Sequence, residues 1–307
     1  MSQNAGELDP GLFQVDPCPL IESAIKEYVR TSPLNHLTAF DNLPIINEPV
    51  VAFADGDDPI FQDLKNIIGE FHLTPREIMQ KYIAAKRWRF GPPPSLERIG
   101  VISWALPITR ETRLIERTAK YGGSPRYNHT RWIGVKFYEN LANYVASLLE
   151  ILRCNAVAPE QSPFFEIKQM PGDWMAANWS ERHIAYASGL GTFGLNGLMI
   201  TSRGCAVYLG SVVFDRAVKP TPRAASYVAN CPFYNDGSCG RCIERCTGSA
   251  ISRNGRSNVA CLANLRDVQP EKVISLGLDK ELVGLAPACG CCSTGLPCED
   301  RIPPSSI

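Results

Sequence analysis

Residues 231–246 read CPFYNDGSCGRCIERC and residues 289–298 read CGCCSTGLPC, and the cysteine spacing in these two stretches decides how the C-terminal quarter folds. The run is Cys231-x7-Cys239-x2-Cys242-x3-Cys246, then Cys261 after fourteen residues, then Cys289-x2-Cys292-x5-Cys298. A [4Fe–4S] cubane takes four thiolates, so three from a short loop and one from far away is the economical arrangement. In two-cluster ferredoxins the last cysteine of each run serves the other cluster, which ties the two halves together. Where such a run has its first cysteine and its closing proline, this chain has Asp236 and Thr247, and Cys231 is the substitute for the former. The spacing therefore assigns Cys231, Cys239, Cys242 and Cys298 to one cluster, and Cys246, Cys261, Cys289 and Cys292 to the other. Cys291 adjoins a ligand and reads as a spare. Cys18, Cys154 and Cys205 lie outside the pattern and read as small buried hydrophobes.

Two other uses of the cysteines compete. Disulfides need an oxidising compartment, and the opening MSQNAGELDP has neither a basic n-region nor an apolar h-region, so a cytoplasmic chain is expected. Structural zinc would use C-x2-C knuckles, which are present at Cys239/Cys242 and Cys289/Cys292, but it would leave four clustered cysteines without a role.

Composition bounds the rest. Hydrophobic residues are 45% of the 307 and charged residues 20%, ordinary values for a globular chain with a real core. No apolar run reaches the length of a membrane span. Lys plus Arg and Asp plus Glu number 31 each, so there is no net basic field for a nucleic-acid backbone. Arg110, Arg113, Arg117, Lys120, Arg126 and Arg131 crowd one segment, but Glu111 and Glu116 interrupt it, and a solvated face is the reading.

Along the chain, residues 1–70 are rich in proline and acidic side chains, and read as an N-terminal arm with one helix near 20–30. Thr74, Pro75 and Glu77 form a capping-box signature that starts a helix running to about Arg87. Residues 98–108 (RIGVISWALPI) read as a buried strand, 137–153 as an amphipathic helix, and 164–168 and 206–215 as further strands. The mixture indicates an α+β core over 71–225. After a linker at 221–230, the module at 226–307 is too short and turn-rich to fold around apolar residues alone, so its clusters would supply its core.

Between core and module, Gly189-Leu-Gly191-Thr-Phe-Gly194 is a literal G-x-G-x-x-G with Asp215 about twenty residues on. A dinucleotide site requires a strand before this motif and a helix after it, and here the order is reversed. The glycines instead permit close backbone approach to something large and flat, or a tight turn.

The stretches Ser180-Glu-Arg-His-Ile-Ala-Tyr-Ala-Ser-Gly-Leu-Gly-Thr-Phe-Gly, Ile200-Thr-Ser-Arg-Gly, Asp236-Gly-Ser-Cys-Gly-Arg-Cys and Cys289-Gly-Cys-Cys-Ser-Thr-Gly-Leu-Pro-Cys-Glu together resemble the family of epoxyqueuosine reductase and the reductive dehalogenases. The similarity spans roughly residues 98–302, and points to a little-characterised cytoplasmic branch. It implies a nitroreductase-like cobalamin-binding core followed by a ferredoxin-like double-cluster module. It also implies a base-off corrinoid held mainly by backbone and by the glycine segment, namely Gly189, Gly191, Thr192, Phe193, Gly194, Leu195, Asn196, Gly197, Thr201, Arg203, Gly204 and Gly210. The chain departs from the pattern at Met175, where epoxyqueuosine reductases carry an acid ahead of the pair corresponding to Glu181-Arg182; Asp173 lies two positions away. It also ends just after the cysteines, without the helical repeats with which some members grip tRNA.

These readings lead to an oxidoreductase that passes electrons from two clusters to a corrinoid and reduces a small organic substrate. Expected partners are that small molecule and a reduced ferredoxin or flavodoxin-type donor. Nucleic acid and membrane are not expected, and the extended N-terminal arm suggests a homodimer. Reductive cleavage needs a proton source as well as electrons. Tyr186 or His183, three apart on a helix, would donate the proton while Arg182 neutralises a developing anion. Asn128 and His129, in SPRYNHTRW, read as a solvated turn. Two alternatives stay open: a redox partner that reactivates a corrinoid, and a two-cluster electron carrier without cobalamin.

Overall fold

The computed structural model describes residues 16–86, 93–172 and 174–304. Its centre is the strand Gly100–Pro107, in which every residue is buried. Side chains on a strand alternate between faces. Here Ile102, Trp104 and Leu106 pack into one apolar cluster, while Val101 and Ala105 join clusters on the opposite face. A strand buried on both sides has no polar face to show, which is why the stretch reads as continuously apolar.

In chain order the elements are α1 (Cys18–Thr31), β1 (His36–Leu37), β2 (Leu43–Pro44), β3 (Val50–Asp55), α2 (Ile60–Ile68), α3 (Pro75–Ala85), β4 (Gly100–Pro107), α4 (Arg110–Glu116), α5 (Pro125–Ile151), β5 (Ala156–Val157), β6 (Ile167–Met170), β7 (Trp174–Ala177), α6 (Glu181–Ala187), β8 (Gly191–Phe193), β9 (Met199–Thr201) and β10 (Val207–Phe214). The cysteine-rich part adds α7 (Pro232–Asn235), α8 (Arg241–Arg245), β11 (Ile251–Ser252), β12 (Gly255–Arg256), α9 (Asn258–Ala263) and α10 (Gln269–Ser275). The main sheet has the order β3-β4-β10-β5 and is antiparallel throughout, with Gly100 opposite Phe214 and Pro107 opposite Val207. Helices α1 and α5 cover one face, and α2, α3 and α6 the other. The fold is α+β.

The expected N-terminal arm is corrected. Ile21, Ile25 and Val29, one helical turn apart, bury themselves against α5, and β3 is an integral strand paired with β4 over Val50–Asp55. Residues 16–70 thus complete the core of their own chain. Residues Asn128 and His129 are corrected as well. Ser124 caps α5, accepting from the Tyr127 N–H at 3.2 Å with Pro125 at the first helical position, so both sit in its first turns. Asn128 is buried, and its side-chain oxygen accepts from the Val283 N–H at 2.6 Å.

In the arginine-rich segment Arg110, Arg117, Lys120 and Arg131 are exposed, as a solvated face requires, while Arg113 and Arg126 are buried. Glu299, 1% exposed, accepts two hydrogen bonds from Arg117, both at 3.0 Å, and faces Arg113 at 3.2 Å. Glu116 accepts from the N–H groups of Ser124 at 2.6 Å and Gly290 at 3.1 Å. The Cys205 and Ala206 amides donate to Cys298 O and Glu299 O at 2.7 and 3.1 Å, so the C-terminal segment runs beside the start of β10. The cysteine-rich part is thereby clamped to α4, to the loop after it and to the edge of the sheet. Among the described residues no helix is long and apolar enough to cross a membrane.

Candidate metal centre and adjoining cavity

The cysteines gather around two hollows. A small one is lined by Cys231, Cys239, Cys242 and Cys298, together with Gly194, Leu195 and Asn196 of the glycine segment. A larger one, of about 680 Å3, is lined by Cys246, Cys261, Cys289 and Cys292, with Cys291, Tyr127 and Tyr208 also in its wall. Cys231 and Cys298, far apart in the sequence, thus meet in one hollow. Among the described residues no three His, Cys, Asp or Glu converge as tightly as a single ion would need. A cubane is wider than one ion and holds its thiolates farther apart.

The polar surroundings suit an anionic, sulfur-rich body. The Ala250 N–H donates to Cys246 Sγ at 3.2 Å, and Arg256 Nη2 donates to Cys261 Sγ at 3.1 Å. Such bonds to ligand sulfur are among the levers that set cluster potential. Arg182 donates from Nη1 to Gly197 O at 2.8 Å, and burial followed by the nearby Arg256 lowers its pKa. Neither guanidinium makes an ion pair with a carboxylate among the described residues; the opposing charge near Arg182 comes from Cys292 and Cys261. Two adjacent cations are costly unless anions compensate them, and thiolates in a cluster would do so. Burial pushes the thiols of Cys242 and Cys292 up to about 12, whereas a hydrogen bond from Cys291 holds Cys289 down to about 7.

Cys205, outside the spacing pattern, is buried as expected and sits beside the cysteine sets. Its Sγ lies 3.6 Å from Cys298 Sγ and 3.8 Å from Ser293 O, between the two hollows. Cys291 turns its thiol toward Ala119 O and Lys120 O at 3.7 and 3.8 Å.

A second cavity, of about 640 Å3, lies beside the larger hollow and shares Leu198, Cys205, Val207 and Tyr208 with it. Arg182 and His183 line it, as do Glu160 and Glu181. His183 shares a 2.7 Å hydrogen bond between its Nδ1 and Ser180 Oγ. Burial first and Arg182 second lower its pKa to about 4, so at neutral pH the imidazole is uncharged. Tyr186 is not brought to this cavity: its hydroxyl donates to Ala224 O at 3.3 Å and it lines a separate hollow near Arg223. Phe193 of β8 packs against both the His183 and the Tyr186 rings. Tyr208, by contrast, carries no signal in the sequence, and its buried hydroxyl, beside Tyr138, stands in the wall common to both cavities.

At most positions of the glycine segment the space a side chain would take is filled by protein. A Cβ on Gly189 (φ +81°) would lie 2.7 Å from Pro222 O, and one on Gly210 would lie 2.7 Å from Trp104 Nε1. Gly191 abuts the partner strand of its own hairpin at Ile200, and Gly204 abuts Glu299 and Asp300. Thr192 Oγ1 accepts from the Asn230 N–H at 2.8 Å, and Thr201 Oγ1 donates to Gly204 O at 2.9 Å. Gly197 (φ +69°) adjoins Arg256 and Arg182, and Asn196 donates to Cys292 O at 2.7 Å. Phe193 packs on His183, and the Arg203 N–H donates to Thr201 Oγ1 at 3.0 Å. None of these residues lines either large cavity. The close approach that the glycines allow is to the linker, the sheet and the cysteine-rich part. Met175 borders the second cavity, and Asp173 lies outside the described residues.

No family model and no curated protein matches the chain. Solved structures do: the chain is similar to epoxyqueuosine reductases. One is an epoxyqueuosine reductase with an epoxyqueuosine-modified tRNA-Tyr stem loop, at 14% identity and TM-score 0.41 over 78% of this chain. Another, from Bacillus subtilis with its catalytic loop swung out of the active site, has 15% identity and TM-score 0.43 over 94%. A selenomethionine-labelled epoxyqueuosine reductase has 13% identity and TM-score 0.46 over 94%. The chain spans 55% of the length of the first and 70% of the other two. The first structure overturns the expectation of a small-molecule substrate with nucleic acid set aside, because it is an epoxyqueuosine reductase holding RNA. Net charge is a sum over the chain, and a sum of zero does not forbid a local surface that takes a phosphate backbone.

Proposed function

We propose that the chain is a corrinoid-dependent iron–sulfur reductase. Cys231, Cys239, Cys242 and Cys298 would hold one [4Fe–4S] cluster, and Cys246, Cys261, Cys289 and Cys292 the other, in a ferredoxin-like module packed on a nitroreductase-like core. One observation carries this reading: the eight cysteines divide four and four between two hollows. When bound, the clusters pass single electrons and the corrinoid supplies a reducible cobalt.

The adjoining cavities of about 680 and 640 Å3 have the room and position for a corrinoid next to the second cysteine set. Leu198, Val207 and Tyr208 would form the shared wall against it, and Arg256 would fix Cys261 and offset its charge. Arg182 would lend positive charge to the inner end of the second cavity. His183, neutral at neutral pH, would orient a substrate by hydrogen bonding and not by charge. The test uses the reconstituted chain with a low-potential reductant and an epoxyqueuosine-modified tRNA stem loop, the molecule held by one of the similar proteins. Conversion that needs added cobalamin and disappears in Cys261→Ser supports the reading; conversion that is independent of cobalamin overturns it.

A further inference from the structure

The second cavity contains a pair of carboxyl groups that nothing above has used. Glu181 opens α6, and its Oε1 accepts from Ser211 Oγ at 2.9 Å; that hydroxyl in turn accepts from Trp179 Nε1 at 3.0 Å. Its other oxygen, Oε2, is buried and has no hydrogen-bond partner. Glu160 lines the same cavity from the loop after β5, and its side chain is exposed there.

We propose that Glu160 and Glu181 form a proton relay in the wall of this cavity, Glu181 being the inner store and Glu160 its connection to water. An ionised carboxylate with one oxygen buried and unpartnered is expensive, and the neutral acid is much cheaper. Hydrogen bonds from Ser211 and Trp179 favour the carboxylate, but burial and the charge of Glu160 outweigh them. Arg182 and His183, the neighbours on α6, are committed to Gly197 O and Ser180 Oγ. From β10 comes only the neutral Ser211. Trp179 stacks on His72, whose Nε2 accepts from the Ser180 N–H at 3.2 Å and whose pKa burial lowers to about 4, so it too is uncharged. Burial, then the charge of Glu160, raises Glu181 well above the usual carboxylate range, and no cation opposes either effect. Glu160 is raised to about 7 by its walls, an effect that cavity water limits because the side chain is open. Two interacting carboxyls of this kind titrate as a pair and hold one proton between them near neutrality.

The step is a proton transfer alone. Glu181 gives its proton to an acceptor in the cavity and takes another from Glu160, which recovers one from water; no electron moves and no other bond changes. The relay rests on the reductase reading only for the identity of the acceptor, since reductive cleavage consumes protons as well as electrons.

Infrared spectroscopy of the purified full chain tests it without a substrate. The carbonyl stretch of a protonated carboxyl is expected to persist at about pH 7, above the ordinary carboxylate range, and to be absent from Glu181→Gln. On transfer to heavy water, deuteration of that group is expected to slow at least about tenfold in Glu160→Gln, because its route to solvent is gone. A merely structural carboxyl would not show that second effect. The relay is overturned if the band is missing at neutral pH, survives in Glu181→Gln, or exchanges at the wild-type rate in Glu160→Gln. Iron and cobalt counts on the same samples judge the reductase reading separately.

Discussion

The two halves of the molecule bury different things. Around β4 and β10 the buried side chains are Ile, Leu, Val, Phe and Trp on both faces of a continuous sheet. In the cysteine-rich part the buried cluster consists of Leu195, Ile200, Cys205, Cys231, Cys242, Ile251 and Leu296, with Cys246, Cys292 and Cys298 packed against it. The core is stabilised by removing apolar surface from water. The other part has short helices, two-residue strands and thiols where aliphatic side chains would stand, so its order depends on what the thiols bind and on its clamp to α4.

The largest effect should come from removing metal. Anaerobic chelation of the iron-loaded chain is expected to cost the cysteine-rich part on the order of 10 kcal/mol, the scale of metal sites that fold small domains. Hydrogen exchange should show loss of protection across 231–304 with β4 and β10 unchanged; equal loss in both would erase the distinction. Next, Trp104→Ala should cost about 4 kcal/mol in denaturant titration, by emptying a fully buried site at the centre of the sheet. Both halves should unfold earlier, since the cysteine-rich part docks on this core.

Glu299→Gln attacks the clamp. It leaves the 8%-exposed Arg113 with only Asp300, at 3.5 Å, and should cost about 2 kcal/mol, confined to the cysteine-rich part by hydrogen exchange. A smaller, pH-dependent effect belongs to the core. His72 is lowered from 6.5 to about 4 by burial, with the nearby His183 second, so its stabilising contribution is complete above 6.5 and is lost as pH falls toward 4. By about pH 5 the loss should be about 2 kcal/mol, and His72→Gln should flatten that part of the stability profile. Smallest of all, Glu244→Gln breaks the exposed Arg241–Glu244 pair and should leave the denaturant midpoint unchanged.

How much of this was legible in the sequence follows from the range of the interactions. The cysteine spacing divides the eight thiols into two sets of four, and each set lines its own hollow. Thr74 with Glu77 formed the capping box that the sequence announces, its two hydrogen bonds closing at 3.2 and 2.8 Å. The buried run of β4 announced itself by lacking any charged residue, its single polar side chain being the buried Ser103. The N-terminal region was misread because prolines and acids surround β3, while its partner β4 lies some fifty residues on. The settings of Glu181, Tyr208 and Cys205 were not legible for a related reason. Each acquires its setting from residues far along the chain: Glu160 and Ser211 for the first, the shared cavity wall for the second, Cys298 for the third. The glycines were visible, but whether their bare backbone meets a cofactor or another strand is a tertiary fact.

The most direct test is to purify the chain anaerobically, reconstitute it with iron, sulfide and cobalamin, and count metals on one sample. The account predicts about eight irons per chain, from two four-iron clusters, with about one cobalt, and about half the iron in either Cys242→Ser or Cys261→Ser. Zinc in place of iron, iron without cobalt, or full iron content in both variants would contradict it.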